Sequence, residues 1–324
     1  MNFSGTIKGP LKDRGKKPKI VVVGSANTDF VVLVPQIPVK GETVLGGKFI
    51  TARGGKGANQ AVAAARLGAE VTLIARLGQD TLGREAVEAY QKEGIDTQYV
   101  ARDNAEPSGV ALIIVNQQGE NLIAVAPGAN SRLAPEDVRA AEAAIRSADC
   151  LLVQMEVPLP TVQTALEIAR RYQVRTILNP APAPAVPPSP EFLSLADILT
   201  PNETEVKALS GEYATPDAIQ TAELLQAKAG IKTLIVTLGS RGALLMSGKQ
   251  KTHIPAFRVD PVDTTGSGDA FNAALTVALA RGVDLPIAVK YAAGAGALTA
   301  TRAGAQPSLP TAVELEKFLA TAVI

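Results

Sequence analysis

Several residue types that commonly carry enzyme chemistry are nearly absent from this chain. Its 324 residues include one cysteine (Cys150), one histidine (His253) and no tryptophan. A single cysteine cannot form an internal disulfide bond, and one histidine makes a zinc site, a Ser-His-Asp triad or a Cys-His pair improbable. Any catalysis must therefore use carboxylates, hydroxyls, lysine, arginine and backbone amides.

The chain also lacks an excess of charge and a long apolar run. Its 32 Lys and Arg residues face 31 Asp and Glu residues, which gives a formal net charge of +1. This charge provides no field to attract a polyanion, so we expect neither nucleic acid nor a membrane as a partner. The most apolar late stretch, Tyr291 to Thr301, is 11 residues long, whereas about 18 are needed to cross a bilayer.

The sequence divides into a short basic extension and one long α/β region. Residues 1–18 are polar and contain no apolar stretch typical of a signal peptide. We therefore expect a flexible N-terminal extension and a protein of the reducing cytoplasm. Residues 19–324 alternate short β-branched runs with alanine-rich helical stretches. This alternation predicts an α/β fold in which a mostly parallel central sheet is flanked by helices.

Two segments, residues 29–51 and 101–126, interrupt this alternation because they contain strand-like runs and no helical pattern. The predicted strands and hairpin turn are Asp29–Val34, Thr43–Ile50, Gly109–Asn116, Asn121–Ala126 and Gln117–Gly119. The two segments could pair into a small discontinuous sheet that acts as a lid, or as a dimer surface if its outer face is apolar. The pattern alone is equally compatible with edge strands of the main sheet.

The most informative segment is the loop Val262-Asp-Thr-Thr-Gly-Ser-Gly-Asp-Ala-Phe271. Gly266 and Gly268 let the backbone approach an anion, and a helix beginning near Asp269 directs unpaired amides to the same place. The loop lacks the Lys-Ser/Thr pair of a Walker loop and the third glycine of a dinucleotide fingerprint. An amide-lined anion site beside a carboxylate suits phosphoryl transfer, with Asp269 accepting the proton of the attacking hydroxyl. Alternatively, Asp269 only complements the helix dipole.

A second glycine loop, Arg53-Gly-Gly-Lys-Gly-Ala-Asn-Gln60, also leads into a helix. Lys56 and Asn59 supply donors that a plain turn would not require, although such helix starts are often only structural. Asn27 and Asp29 follow the first strand, where open α/β sheets bind ligands. They could clamp neighbouring hydroxyls of a polyol, or simply form a turn.

Three further polar sites follow predicted strands. Glu156 lies just past the strand that ends at Gln154 and could equally be an exposed loop residue. Asn202 and Glu205, three residues apart at a helix start, could hold magnesium through water or form a helix cap. The glycine turn Thr237-Leu-Gly-Ser-Arg-Gly242 suits nucleotide phosphates or a hairpin.

Together with Asn179-Pro-Ala-Pro-Ala183 and Gly304-Ala-Gln-Pro-Ser308, these motifs resemble those of the ribokinase-like carbohydrate kinase family, from about Lys19 to Phe318. The resemblance implies transfer of a phosphoryl group from ATP to the 5-hydroxyl of D-ribose, giving D-ribose 5-phosphate. A sister kinase acting on deoxyribose, fructose or adenosine is one alternative, and a non-catalytic sugar-binding regulator on the same fold is another. A binding protein has no need of an Asp at the anion site, so Asp269 favours catalysis.

The resemblance also implies a role for each motif residue. The residues that would hold ribose are Asn27, Asp29, Gly55, Lys56, Asn59 and Glu156. Asp269 would be the general base, beside an anion hole formed by the amides of Gly266, Ser267 and Gly268. The residues that would contact ATP are Gly268, Asn202, Thr237, Leu238, Gly239, Ser240, Arg241 and Gly242. Glu205 would help to place hydrated Mg²⁺.

The family resemblance further implies an activating potassium ion and a homodimer. The residues that would surround K⁺, mostly through backbone carbonyls, are Asp263, Thr265, Thr299, Arg302, Gly304 and Ser308. The small sheet would be the lid over the site and would also form the dimer contact.

Overall fold

The protein is described here from a computed structural model that covers residues 16–323. The strands are β1 (Lys19–Val23), β2 (Asn27–Leu33), β3 (Lys48–Gly54), β4 (Glu70–Gly78), β5 (Val100–Asp103), β6 (Gly109–Val115), β7 (Asn121–Ala126), β8 (Cys150–Gln154), β9 (Arg175–Asn179), β10 (Ile198–Leu199), β11 (Thr233–Thr237), β12 (Ala243–Ser247) and β13 (Gln250–Ile254). The helices are α1 (Lys56–Arg66), α2 (Thr81–Lys92), α3 (Pro135–Ala140), α4 (Glu142–Ser147), α5 (Leu159–Arg171), α6 (Pro190–Leu193), α7 (Glu203–Ser210), α8 (Ala218–Ala229), α9 (Ser267–Ala280), α10 (Leu285–Ala300) and α11 (Ala312–Thr321). The predicted extension, residues 1–18, lies almost wholly outside the described residues.

The large sheet has nine strands in the order β13-β12-β11-β10-β9-β8-β1-β4-β5. Strands β11 to β5 in that order run parallel, while β12 is antiparallel to both of its neighbours. The predicted α/β fold with a mostly parallel sheet is confirmed. Because parallel strands end at one edge of a sheet, the polar segments that follow β1, β8, β10 and β11 all reach the same edge.

Both faces of the large sheet are buried beneath helices. Along β1, Ile20 and Val22 belong to an apolar cluster formed with α1, α9 and α10, whereas Val21 and Val23 belong to a second cluster formed with α5, α7 and α8. Alternate residues of a strand point to opposite faces, so an uninterrupted apolar run is what a doubly covered strand requires.

The small sheet has four strands in the order β3-β2-β6-β7, so the edge-strand alternative is wrong. Its second hairpin strand, Asn121–Ala126, has the predicted bounds, but β3 begins at Lys48, later than the predicted Thr43. Residues 101–103, predicted as part of the lid segment, instead belong to β5 and pair with β4 in the large sheet. The small sheet therefore comprises residues 27–54 and 109–126.

Two further elements differ from the sequence expectations. The apolar spacing of residues 135–147 is typical of one helix, but the structure divides this stretch at Ala141 into α3 and α4. The β12–β13 hairpin, which completes one end of the large sheet, was not predicted. None of the helices described in residues 16–323 is long and apolar enough to span a membrane.

Candidate active site

Asp269 lies in the first turn of α9, directly after the glycine-rich loop. Gly266 caps this helix with a φ of 79°, a left-handed conformation that glycine adopts without steric strain. The Ser267 N–H donates to the Thr264 carbonyl at 3.1 Å and closes the turn. The loop leaves Gly268 exposed, while the Asp269 side chain is buried beside it. An open backbone and a buried carboxylate are thus adjacent, as the sequence predicted.

Two consecutive amides of α1 hold the two oxygens of Asp269. Asn59 Nδ2 donates to Oδ2 at 2.9 Å, and Gln60 Nε2 donates to Oδ1 at 3.0 Å. Burial raises the pKa of Asp269, against the opposing effects of Lys56 and of these two hydrogen bonds. A carboxylate with a raised pKa and fixed orientation is suited to accept a proton near neutral pH.

The second glycine loop brings α1 against the end of β1. Gly55 caps α1 with a φ of 86°, and a Cβ there would lie 2.7 Å from the backbone nitrogen of Asn27. This approach allows the Lys56 N–H to donate to Glu156 Oε2 at 2.9 Å. The Ser25 hydroxyl donates to the same carboxylate oxygen. Glu156 is therefore a partly buried hydrogen-bonded residue of the site rather than a free loop side chain.

Asn27 and Asp29 begin β2, where the chain passes from the large sheet to the small one. Asn130 Nδ2 donates to Asn27 Oδ1 at 2.7 Å. Burial, followed by the negative charges of Glu156 and Asp269, raises the pKa of Asp29 to about 6. The negative charges of Glu156 and Asp269 thus act on Asp29, and ionised carboxylates are acceptors for hydroxyl groups.

Asn202 and Glu205 form a capping box at the start of α7. Asn202 Oδ1 accepts from the Glu205 N–H, and Glu205 Oε2 accepts from the Asn202 N–H, both at 2.8 Å. The capping alternative is therefore realised. Burial nevertheless raises the pKa of Glu205, and Lys56 and Asp269 both influence it electrostatically. Glu205 thus caps a helix, and its carboxylate also responds to the charges of Lys56 and Asp269.

The turn of residues 237–242 lies beside that cap. The Thr237 N–H donates to the Pro201 carbonyl at 2.9 Å, and Thr237 forms a parallel bridge with Asn202. The exposed Arg241 pairs with Glu203 of α7 at 2.5 Å. The two segments predicted to contact a nucleotide are therefore neighbours at the edge of the large sheet, although the turn also joins β11 to β12 as a hairpin connection.

Asp263 joins the loop that precedes α9 to the loop that follows α10. Its Oδ1 accepts from the Thr265 N–H at 2.9 Å and its Oδ2 from the Gly304 N–H at 2.8 Å. Burial opposes ionisation of Asp263, but hydrogen bonds from Thr265 and Gly304 outweigh it and lower the pKa. Among the remaining predicted cation residues, the Arg302 N–H donates to the Thr299 carbonyl while its side chain pairs with Glu314 of α11 at 2.8 Å, and the Ser308 hydroxyl donates to the Ala305 carbonyl.

Comparison with known proteins shows the family of this chain. The family model described as pfkB family carbohydrate kinase matches residues 17–312. The chain belongs to the pfkB family of carbohydrate kinases. A ribokinase of Haemophilus influenzae is 42% identical over 302 residues, which cover 93% of this chain and 98% of that protein.

Two other relatives carry the names of sugar kinases. A deoxyribokinase of Salmonella typhi is 36% identical, covering 93% of this chain and 98% of its own. The structure of Arabidopsis thaliana ribokinase complexed with ribose and ATP is 33% identical and superposes with a TM-score of 0.83, covering 94% of this chain and 99% of that one. The sequence resemblance to this family is confirmed.

The structure adds three residues to those expected from the pfkB motifs. Gln60 holds Asp269, Asn130 holds Asn27, and Ser25 holds Glu156. Gln60 stands next to Asn59 in the second glycine loop, so its place in that motif is a sequence signal for a residue of the site. The contacts of Ser25 and Asn130 span more than 100 residues of sequence, and local pattern gives no indication of them.

Proposed function

We propose that this pfkB-family chain transfers the γ-phosphoryl group of ATP to the 5-hydroxyl of D-ribose. The observation that carries the proposal is Asp269, a buried carboxylate held by two amides beside the exposed Gly268 backbone. Asp269 accepts the proton of the 5-hydroxyl as the new oxygen–phosphorus bond forms. The bond between the γ-phosphorus and its bridging oxygen breaks, and ADP leaves. The amides of Gly266, Ser267 and Gly268 stabilise charge on the moving phosphoryl group, with the Ser267 N–H shared between this group and the Thr264 carbonyl.

The sugar would bind between the start of β2 and the start of α1. Asn27 Oδ1 already accepts from Asn130, so its Nδ2 group remains as a donor toward the sugar, while Asp29 is an acceptor. Asn59 donates through Nδ2 to Asp269, and its buried Oδ1 has no hydrogen-bond partner in residues 16–323. That orphaned acceptor supports a hydroxyl ligand at this point. The proposed set is completed by Gly55, Lys56 and Glu156.

ATP would lie along the edge of the large sheet, against Asn202, the turn of residues 237–242 and Gly268. ATP-dependent kinases use Mg²⁺ to neutralise phosphate charge. The partly buried Glu205 carboxylate, which keeps its helix-capping bond through Oε2 alone, fits a role in holding the hydration shell of Mg²⁺. Since ATP is the phosphoryl donor, we place the protein in the cytoplasm.

The loops tied by Asp263 fit a monovalent cation. Potassium takes oxygen ligands, and the segments containing Thr265, Thr299, Arg302, Gly304 and Ser308 bring backbone carbonyls to neighbouring loops. A Cβ on Gly266 would lie 3.3 Å from Ala305 Cα, so these loops contact the proposed anion hole directly. A cation there would supply positive charge next to the amides that receive the phosphoryl group.

The small sheet is proposed as the lid and as the contact of a homodimer. Leu112 and Phe49 lie on the face opposite Asp29, by the register of β2 with its neighbours, and are 56% and 60% exposed. A monomer seldom leaves such a patch uncovered. A second copy of the chain, presenting the same patch about a twofold axis, would cover it.

A substrate panel tests the activity. ATP is supplied with D-ribose, 2-deoxy-D-ribose, D-fructose or adenosine, and ADP release is measured together with the mass of the phosphorylated product. D-Ribose is expected to give the highest kcat/KM. The similarity to a deoxyribokinase makes deoxyribose the second candidate. A higher kcat/KM for deoxyribose would replace the proposed substrate, and the absence of product with every sugar would refute the kinase assignment.

A further inference from the structure

Gln60 is a fully buried residue of α1 that lies outside the proposed sugar, nucleotide and metal sites. Its two amide hydrogens have two acceptors. Nε2 donates to Asp269 Oδ1 at 3.0 Å and to Asn179 Oδ1 at 3.1 Å. Its carbonyl Oε1 accepts from Gln154 Nε2 at 2.6 Å. Because an ionised carboxylate only accepts hydrogen bonds, the donor from Gln154 fixes the Gln60 amide in the orientation that serves Asp269.

The hydrogen bonds continue beyond Gln60 and return to the glycine loop. Asn179 Nδ2 donates to the Thr200 carbonyl at 3.2 Å, and Thr200 Oγ1 donates to Asn272 Oδ1 at 2.5 Å. Asn272 Nδ2 then donates to the Gly268 carbonyl at 2.8 Å. A closed ring of buried polar groups thus connects Asp269 with the backbone residue directly before it, by way of β9, the end of β10 and α9.

Such a ring is costly to build for packing alone. Each of its side chains is less than a tenth exposed, and a buried polar group destabilises the fold unless its hydrogen bonds are made. The strands it joins are already held by backbone ladders and apolar clusters. What the ring adds is a fixed direction for the Asp269 carboxylate relative to the Gly268 backbone.

We propose that Gln60 is a positioning residue for the reaction, holding the Asp269 carboxylate at the angle required to accept the hydroxyl proton. The inference rests on the proposed function, because it takes Asp269 as the base. Gln60 acts through Asp269 and does not itself touch the sugar or the phosphates.

The charged groups around Asp269 define what removal of Gln60 should do. Lys56 favours the carboxylate form, whereas the carboxylates of Glu156, Glu205 and Asp29, from three other segments, disfavour it. The Gln60 hydrogen bond acts in the same direction as Lys56 and lowers the pKa of Asp269. Without this hydrogen bond, burial raises the pKa of Asp269 further, so the base becomes protonated at a higher pH.

The test compares Gln60→Met with Gln154→Met. Both changes remove a fully buried amide of the same network, but only Gln60 contacts Asp269. The assays use saturating ATP and a saturating concentration of the sugar that the wild type phosphorylates best. Under these conditions the titration of Asp29 in sugar binding does not affect kcat. We expect Gln60→Met to lower kcat and to shift the acidic limb of the pH profile of kcat upward by about one pH unit. Gln154→Met should move the limb less.

Gln60→Glu provides a second variant of the native shape. Its added negative charge next to Asp269 should move the acidic limb further upward than Gln60→Met does, while its Oε1 still accepts from Gln154. The positioning role is refuted if both Gln60 variants keep the acidic limb of the wild-type kcat profile and, like Gln154→Met, lose only thermal stability. A wild type inactive toward every sugar would refute the proposed function instead, so the two failures are distinguishable.

Discussion

The two sheets of this protein differ in where their apolar and polar side chains lie. The large sheet is covered by helices on both faces, and the polar groups that we propose to be functional lie at the edge where the parallel strands end. The small sheet leaves Phe49 and Leu112 exposed on one face and Ile123 on the other. The large sheet is thus complete as it stands, whereas the small sheet is expected to gain its cover from a ligand or a partner.

We infer from this difference that the two sheets contribute differently to the proposed reaction. Residues at the edge of the large sheet are fixed by buried hydrogen bonds, which suits proton and phosphoryl transfer, where small displacements are costly. Residues of the small sheet have few such restraints, which suits binding and closure. Changes at the large sheet should therefore act mainly on kcat, and changes at the small sheet mainly on KM and assembly.

The largest effect is expected at the large sheet, from Asp269→Asn. The amide has nearly the same shape but cannot accept the hydroxyl proton, so kcat should fall by about 10²- to 10⁴-fold. Sugar binding, measured by calorimetry, should change little. Asp260→Asn, at an exposed carboxylate a short distance before the glycine loop, is the matched control. A variant at Asp269 that keeps most of the wild-type kcat would remove this residue as the base.

The position of Asp269 illustrates what the sequence allowed to be predicted. Glycines followed by Asp before an apolar helix specify the loop, the helix start and the carboxylate locally, and the structure has all three. The α/β alternation likewise predicts the large sheet, because doubly buried strands are continuous apolar runs. Gln60 and Asn179 lie within motifs, but the ring that joins them to Asn272 was not predicted, because its hydrogen bonds depend on the order of strands in the sheet.

The small sheet was harder to predict for a related reason. Its strands carry apolar residues on both faces, so the two-residue alternation that marks a half-buried strand is blurred. Pairing of β2 with β6 joins residues about 80 positions apart, and nothing local distinguishes this from pairing at the edge of the main sheet. The displaced start of β3 and the assignment of residues 101–103 to β5 both follow from that ambiguity.

The next largest effect is expected where the two sheets meet, at Asp29. Only the ionised carboxylate is a pure acceptor for sugar hydroxyls, and the pKa of Asp29 in the free protein is raised to about 6. The KM for the sugar should therefore rise as the pH falls from about 7.5 to about 5. Asp29→Asn should raise the KM by about 10- to 100-fold and abolish this part of the pH dependence.

A KM for the sugar that is flat over this range in the wild type would contradict the role of Asp29. Asp96→Asn serves as the control, because Asp96 lies near the beginning of β4, where its backbone bridges Thr72 at the edge of the large sheet opposite the strand ends. The control should retain the pH dependence of the wild type. If Asp29→Asn lowers kcat as strongly as it raises KM, the proposed separation between the two sheets fails.

A smaller effect is expected from the monovalent cation at the large sheet. Replacing potassium with sodium at constant ionic strength should lower kcat several-fold, since the smaller ion fits carbonyl ligands set for a larger one less well. Asp263→Asn, which weakens the tie between the two loops, should reduce the difference between the salts. Equal rates in both salts for the wild type would remove the cation assignment.

The smallest effect on turnover, and the largest effect on assembly, is expected from a change on the face of the small sheet opposite Asp29. Leu112→Lys places a charge in the middle of the exposed apolar patch, where Phe30 and Phe49 stack with ring centroids 5.9 Å apart. Light scattering should report a dimer for the wild type and a monomer for the variant, with little change in kcat and a higher KM for the sugar. Leu224→Lys, at a similarly apolar but distant position on α8, should remain dimeric. A monomeric wild type would mean that the small sheet is covered by something other than a second copy, and closure over the sugar would then be its remaining role.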